Sequence, residues 1–395
     1  MYATRPLSAC RKSTSALEEL PNEGPFSGYL VITDVEAEAE NTNCCGYEIT
    51  SVTKLPFPQD RVLFFQSFYD DSATKLWFIP ALDRPLSSNI YYVITAEGKY
   101  RGKSCICSRD GDIEPTCYGT SIKDTRPSHF DPRDTYQVFQ IHRHNSRSFF
   151  AESVAPDGFP PKYLRKKSWQ VQTSYSLRPH LEEALGLDMT LRARLPDFTF
   201  PISGNHPASA PIVVGKWYCP CVFVRDEGVE TKHQMKKSMF YKMVLEQKWE
   251  ELHTCENNVN NEDNNKARVN VALTKEEASV FGLRAVEDDD GTSDGFVWFK
   301  VMTHDEARRG IRLGVSEAIA EKMKWVMREG GWAHDDGGSG REVRVERVEE
   351  FKGDRMWKRF GCYVLVESFV MTRLDGSLVL KRDFRHTHRI QCKWE

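Results

Sequence analysis

No stretch of the 395-residue chain approaches the roughly eighteen consecutive apolar residues of a membrane-crossing helix, so no membrane span is expected. The amino terminus, Met1 to Cys10, also has no apolar segment of the roughly seven to fifteen residues that a signal peptide needs, and secretion is not expected. Tyr2 stands where amino-terminal myristoylation requires glycine, and Lys393 and Trp394 stand where a prenylation box requires small aliphatic residues. These absences point to a cytoplasmic protein, with the nucleus left open. Charge of one sign is missing too. The 54 Lys and Arg against 57 Asp and Glu leave a net of −3, which argues against a general polyanion binder and so against a nucleic-acid partner. No Gly-x-Gly-x-x-Gly, Walker loop, Gly-x-Ser-x-Gly elbow or His-Glu-x-x-His helix occurs, so the common nucleotide-binding and hydrolase readings lose their support. Catalytic groups can still converge from distant positions, and an enzyme is left open.

What is present is a globular composition: 40% hydrophobic and 28% charged residues, spread along the whole chain. At about 150 residues per domain, two or three folded units are expected. The 11 cysteines are an odd count in a chain with no export signal, so reduced thiols acting as small buried hydrophobes are expected. Cys105 with Cys107 and Cys219 with Cys221 are Cys-x-Cys pairs, without the spacing of zinc ribbons or thioredoxin-like redox sites.

Ser15 and Glu18 cap a short helix. From Gly28 onward, apolar and β-branched runs predict strands at Tyr29 to Thr33, Tyr47 to Val52, Val62 to Phe68, Leu76 to Ile79, Ile90 to Thr95 and Tyr136 to His142. A helix is expected from Pro179 to Gly186. Pro196 to Pro211 holds four prolines and reads as an interdomain connection, giving units 1–205 and 211–395. Beyond it Trp217 to Val224 predicts a strand, and Val229 to Leu252 the longest helix, with Met235, Met239 and Met243 spaced by four along a core-facing stripe. Thr274, Glu277 and Gly282 suggest another short helix, Phe296 to Val301 a strand, and Ser316 to Glu329 a helix. Asparagine-rich and acidic runs at 256–265, 287–290 and 335–340 read as solvated loops.

Near the carboxyl terminus, Tyr363 to Arg373 and Ser377 to Lys381 flank Asp375-Gly376, the dipeptide that type I′ hairpin turns favour. Further on, period-two alternation assigns Phe384, His386, His388, Ile390, Cys392 and Trp394 to one strand face. Both histidines are thereby sent toward an apolar side, where each needs a hydrogen-bond partner or a metal. Two histidines on one face lie close enough to share an ion, with Cys392 on the same side. His142 and His144 repeat the spacing and read as solvated residues at a strand end. Arg165, Lys166 and Lys167 beside Trp169, and Lys232, Lys236 and Lys237, are the basic segments on which a nucleic-acid regulator would be built; solvated faces are the plainer reading.

Several words resemble a known family: Thr4-Arg5-Pro6-Leu7-Ser8, Ser27-Gly28-Tyr29-Leu30-Val31-Ile32, Asn89-Ile90-Tyr91-Tyr92-Val93-Ile94, Lys216-Trp217-Tyr218-Cys219-Pro220, Asp375-Gly376-Ser377-Leu378-Val379-Leu380, Asp383-Phe384-Arg385-His386-Thr387-His388 and the terminal Lys393-Trp394-Glu395. Together they resemble the plant-restricted family known as domain of unknown function 1262, from first residues to last. The resemblance implies a land-plant source and an intracellular protein of no established activity, and it supplies no catalytic residues. The pattern of strands and helices along the chain makes the expected fold α+β, two β-rich halves with helices packed against mostly antiparallel sheets. The expected function is a non-catalytic module for an unknown protein or small-molecule partner, linked to stress or defence, with His386, His388, Cys392 and Trp217 as candidate binding residues. No cofactor and no bound metal are assigned. A small-molecule enzyme or metalloprotein using His386 and His388, and a nucleic-acid-associated regulator, are the alternatives.

Overall fold

The computed structural model describes residues 1–21, 23–40, 51–67, 70–116, 119–174, 178–202, 209–257, 265–288, 294–302, 310–332, 342–354 and 356–395. Strand far outweighs helix among them, and the longest helix has 13 residues. The architecture is β-rich and mostly antiparallel, with few helices, so the expected α+β description holds only loosely.

Two sheets dominate. The larger has 12 strands; β1 (Tyr2–Pro6) and β2 (Gly28–Ile32) form one edge of it, followed inward by β3 (Ile212–Pro220) and β4 (Phe240–Glu256). A separate antiparallel pair, β5 (Lys266–Thr274) and β6 (Glu342–Glu350), packs on the face of this sheet that carries Phe360 and Cys362. The long strands β7 (Arg359–Arg373) and β8 (Leu378–Trp394) complete the centre. Hydrogen-bonded order runs β8, β7, β4, β3, β1, β2, and only β1 with β2 is parallel along the sheet. The first strand of the chain thus pairs with β3, more than 200 residues away, and brings β2 with it as the edge of the larger sheet. The smaller sheet has 7 strands.

Alternation along the smaller sheet explains how the two sheets meet. Leu76, Phe78, Tyr91 and Val93 face a cluster with Phe57, Phe149 and Trp169, while Trp77, Ile79, Tyr92 and Ile94 join one core with Trp217, Phe240 and Tyr241 of the larger sheet. Trp77 meets Phe240 edge-on at 5.0 Å between ring centroids, and each such fully buried ring contributes on the order of 2–3 kcal/mol. The proposed connection is itself packed: Phe198 and Phe200 lie on Trp249 and Tyr363, and Pro196 accepts a hydrogen bond from Trp249 Nε1 at 3.0 Å. Residues 203–208 lie outside the described segments.

Two helices cap one face of the larger sheet, α1 (Met189–Arg194) and α2 (Glu317–Glu329). α2 forms where expected because Ala318, Ile319, Met323, Val326 and Met327 make one buried stripe and Gly330 ends it. Three other expected helices are corrected. The segment expected as the longest helix folds as a short helix, Thr231–Lys237, and then as β4. The methionines are buried in the core as expected, but a spacing of four also keeps residues on one face of a strand. The β-branched and aromatic residues after Phe240, buried alternately, decide for the strand. The Thr274–Gly282 segment is a strand, Glu276–Val280, whose turn to Leu283–Glu287 uses Phe281 and Gly282 at φ 51° and 79°. Residues 179–185 form no helix and lead into a two-residue strand, Gly186–Leu187, on β3. The strands read at Tyr29–Thr33, Ile90–Thr95 and Phe296–Val301 form within a residue of those bounds, the one read from Tyr136 begins at Val138 after a short 3-10 turn, and the Asp375-Gly376 hairpin forms; the Ser15–Glu18 helix forms with Thr14 rather than Ser15 at its N-cap, while most of the Tyr47–Val52 strand and the centres of the asparagine-rich and acidic loops lie outside the described residues. No helix among the described residues is long and apolar enough to cross a membrane.

Candidate functional site

Between the β1–β2 edge and the two capping helices lies a cavity of about 420 Å³, within the range of small-ligand sites. Its floor is fixed by the chain just before α1. Thr4 N donates to Ala184 O at 2.7 Å, and Thr4 Oγ1 accepts from Ala184 N at 2.7 Å, which brings Leu185 and Leu187 to the cavity. Between them Gly186 sits at φ 87°, and a Cβ there would lie 1.3 Å from Glu23 Oε1, so only glycine allows this approach. Glu23 is held from three sides: Oε1 accepts from Leu187 N at 3.0 Å, Oε2 from Trp217 Nε1 at 2.5 Å, and its carbonyl from Lys322 Nζ. Burial lowers the Lys322 pKa to about 8, against the pull of Glu23 and Asp83.

The walls combine aromatic and apolar surface with one incompletely used cation. Trp325 of α2 and Tyr29 of β2 supply rings, and Leu185 and Met189 form an exposed lip, 72% and 55% accessible. Arg5 stacks over Tyr29 at 4.4 Å and donates through Nη2 to Tyr29 Oη and Glu19, while its buried Nε has no hydrogen-bond partner among the described residues. Glu329 stands at the rim. Among the described residues the lining contains no histidine, cysteine, serine or lysine, and the Thr4 hydroxyl and both Glu23 oxygens are occupied by the fold. No general base next to a nucleophile results. The arrangement can hold an apolar or aromatic body and direct an N–H at an acceptor.

Behind the same helices a second polar group is closed. Glu367 of β7 lies between Arg192 of α1, Gln247 of β4 and His386 of β8. Arg192 grips it with two bonds, Nε to Oε1 at 2.7 Å and Nη2 to Oε2 at 2.6 Å; Gln247 Nε2 donates to Oε1 at 2.9 Å, and His386 Nε2 is 2.9 Å from Oε2. Arg192 also donates to Val326 O at 2.8 Å, an approach open only because Gly330 has no Cβ, which would meet Nη2 at 2.1 Å. Burial alone would raise the Glu367 pKa, but the Arg192 and His386 hydrogen bonds hold it at about 2.

The candidate residues read from sequence therefore separate. His386 is buried and partnered by a carboxylate, although its Nδ1 has no partner among the described residues. His388 is exposed, which corrects the expectation that both rings are buried; its ring centroid lies 5.4 Å from that of His386, and burial together with His386 lowers its pKa. Cys392 is on the opposite sheet face. Leu365 pairs with His386 and Val364 with Ile390, so Thr387, His388 and Arg389 bulge out of register and the faces exchange beyond them. Phe384 and His386 share the face of Leu365 and Glu367, whereas Ile390, Cys392 and Trp394 share that of Phe360 and Cys362. Among the described residues no group of three or more His, Cys, Asp and Glu is placed to hold a metal ion. Trp217 is fully buried, one hydrogen bond behind the cavity through Glu23. His142 stacks on Phe150 at 5.0 Å and faces Glu152 at 3.1 Å, and His144 is exposed. The Cys105, Cys107, Cys219 and Cys221 thiols are free and buried, as expected.

Residues 23–118 match a family described as Protein of unknown function (DUF1262). That segment includes Glu23, Tyr29 and β2, but neither capping helix. No curated protein is significantly similar to the chain. A solved structure titled "Crystal structure of Cry35Ab1" is similar over 86% of this chain and 90% of that chain, at 11% identity and a TM-score of 0.43, and a likeness of that degree carries no functional argument.

Sequence reading missed Arg5, Glu23, Leu185, Met189 and Trp325 at the cavity, and Arg192, Gln247 and Glu367 beneath it. Glu367 did carry a signal, a charged residue inside the apolar run Val364 to Met371. The cavity residues come from four separate segments and share no spacing.

Proposed function

We propose that the protein is a non-catalytic binding module whose cavity takes a small amphipathic molecule, with an apolar or aromatic body and a hydrogen-bond acceptor at one end. The observation that carries this reading is the pairing of an exposed apolar lip, Leu185 and Met189, with the unused buried Nε of Arg5 across a cavity of about 420 Å³. The body lies on Trp325 and the lip, and the acceptor meets Arg5. Glu23 and Glu329 offset Arg5 and Lys322, so a neutral ligand suits the site better than a strongly charged one. The family resemblance supports an intracellular plant setting for such a module, and a role in stress or defence responses is part of the proposal.

Fluorescence titration with Nile red, a neutral aromatic dye with a carbonyl acceptor, tests the reading. Saturable binding to the intact protein, weakened about tenfold or more by Leu185→Asp and by Arg5→Ala, is the expected result. Binding unchanged in both variants would remove the cavity as the site.

A further inference from the structure

Beyond the bulge at Thr387–Arg389, the strand pair β7–β8 brings two thiols face to face. Cys362 and Cys392 are direct partners across the antiparallel ladder, so both side chains leave the sheet on the same face. Directly opposed residues in such a ladder have Cα atoms about 4.5 or 5.5 Å apart, depending on the kind of pair, and both values fall inside the roughly 4.4–6.8 Å window that a disulfide spans. The two thiols differ in access. Cys362 is fully buried beneath Trp357 and Phe360, whereas Cys392 is only half-buried. They also differ in protonation. The Cys362 S–H donates to the Cys392 sulfur, which pushes the Cys362 thiol up, and the same bond holds Cys392 down, with Arg347 of β6 reinforcing it and Glu349 opposing. A third thiol, Cys255 of β4, stands half-buried in the same cluster, pairs with Phe360 rather than with a cysteine, and is pushed up by burial.

We infer that Cys362 and Cys392 form a redox-active dithiol, with Cys392 the attacking thiol and Cys362 the resolving one, oxidised by low-molecular-weight disulfides of the glutathione class. The Cys392 thiolate attacks one sulfur of the external disulfide; that S–S bond breaks, and the departing thiolate takes up a proton. Cys362 then gives its proton to solvent and attacks the Cys392 sulfur, forming the Cys362–Cys392 bond and releasing the second external thiol. Two protein thiols and one disulfide become one protein disulfide and two small thiols. The new bond staples the final strand to β7 below the bulge, where the ladder and the packing of Trp394 on Trp357 and Phe360 are the non-covalent ties.

The test equilibrates the purified full chain with oxidised and reduced glutathione, quenches with acid, alkylates and maps the peptides. The expected result is a Cys362–Cys392 cross-link that persists in Cys255→Ser, disappears in Cys392→Ser, and becomes a stable glutathione adduct at Cys392 in Cys362→Ser, where the resolving thiol is gone. In the unmodified protein, Cys392 is expected to alkylate about tenfold faster than Cys255. This second measurement does not depend on the folding of any variant. The inference is overturned if Cys362 and Cys392 both remain reduced under oxidising glutathione, or if Cys255 takes the adduct or the alkyl group before Cys392.

Discussion

The cavity and the Glu367 cluster sit behind the same pair of helices, yet one is open to solvent and the other is closed around its carboxylate. Around Glu367 both carboxylate oxygens are doubly engaged, the counter-charge is bidentate and the partners are almost wholly buried. At the cavity, Arg5 keeps a buried donor without a partner beside apolar side chains left in solvent. A buried carboxylate whose two oxygens are both filled fixes the position of helices on a sheet; a partly used donor beside an apolar cavity open to solvent has capacity left for a ligand. His386, which the sequence pattern singles out, belongs to the first kind, and Trp217 supports the second from behind.

The contrast breaks first at Glu367. Glu367→Ala is expected to destabilise the protein by about 3–5 kcal/mol, because Arg192 is left buried without its counter-charge; urea denaturation measures this. Exchanging Arg192, Glu367 and His386 together for apolar residues of similar size is expected to be nearly neutral by the same measurement. A next effect follows from protonation. With a folded pKa of about 2 against an ordinary 4.5, the Glu367 contribution is present above pH 4.5 and is lost as the pH falls through 2. The loss amounts to about 3 kcal/mol, and the Glu367→Gln variant should not show it in unfolding curves taken from pH 6 down to pH 2. Gly186→Ala is expected to cost about 1–3 kcal/mol, through its left-handed backbone and the collision with Glu23, and to weaken Nile red binding as well. The smallest stability effect belongs to the lip. Leu185→Asp should change unfolding free energy by less than about 0.5 kcal/mol while reducing dye affinity, a separation that the Glu367 variants cannot show.

The legible parts of the fold are those where one local rule acts alone. Asp375-Gly376 needs no distant partner to make a turn, and the Ser316–Glu329 stripe has helical spacing with no competing strand period. The Met235–Met239–Met243 spacing fits a helix and one face of a strand equally; Met235 stays helical, and beyond Phe240 the alternating burial of β4, paired between β3 and β7, makes the strand. The histidine face was half legible. His386 is buried and partnered, but the three unpaired residues after it reverse every later side chain, and a bulge is set by pairing with β7 rather than by its own sequence. The cavity was not legible, since Arg5, Leu185 and Trp325 meet only after the sheet has closed; Gly24 and Gly186, both at positive φ, were its nearest local marks.

The most direct test labels the tryptophans with fluorine and follows them by ¹⁹F NMR during titration with Nile red, the Trp325 resonance being assigned from Trp325→Phe. The account predicts that Trp325 shifts progressively to saturation while Trp77 and Trp169, buried in and beyond the other sheet, stay fixed. A Trp325 resonance that stays unmoved while the dye binds would contradict it.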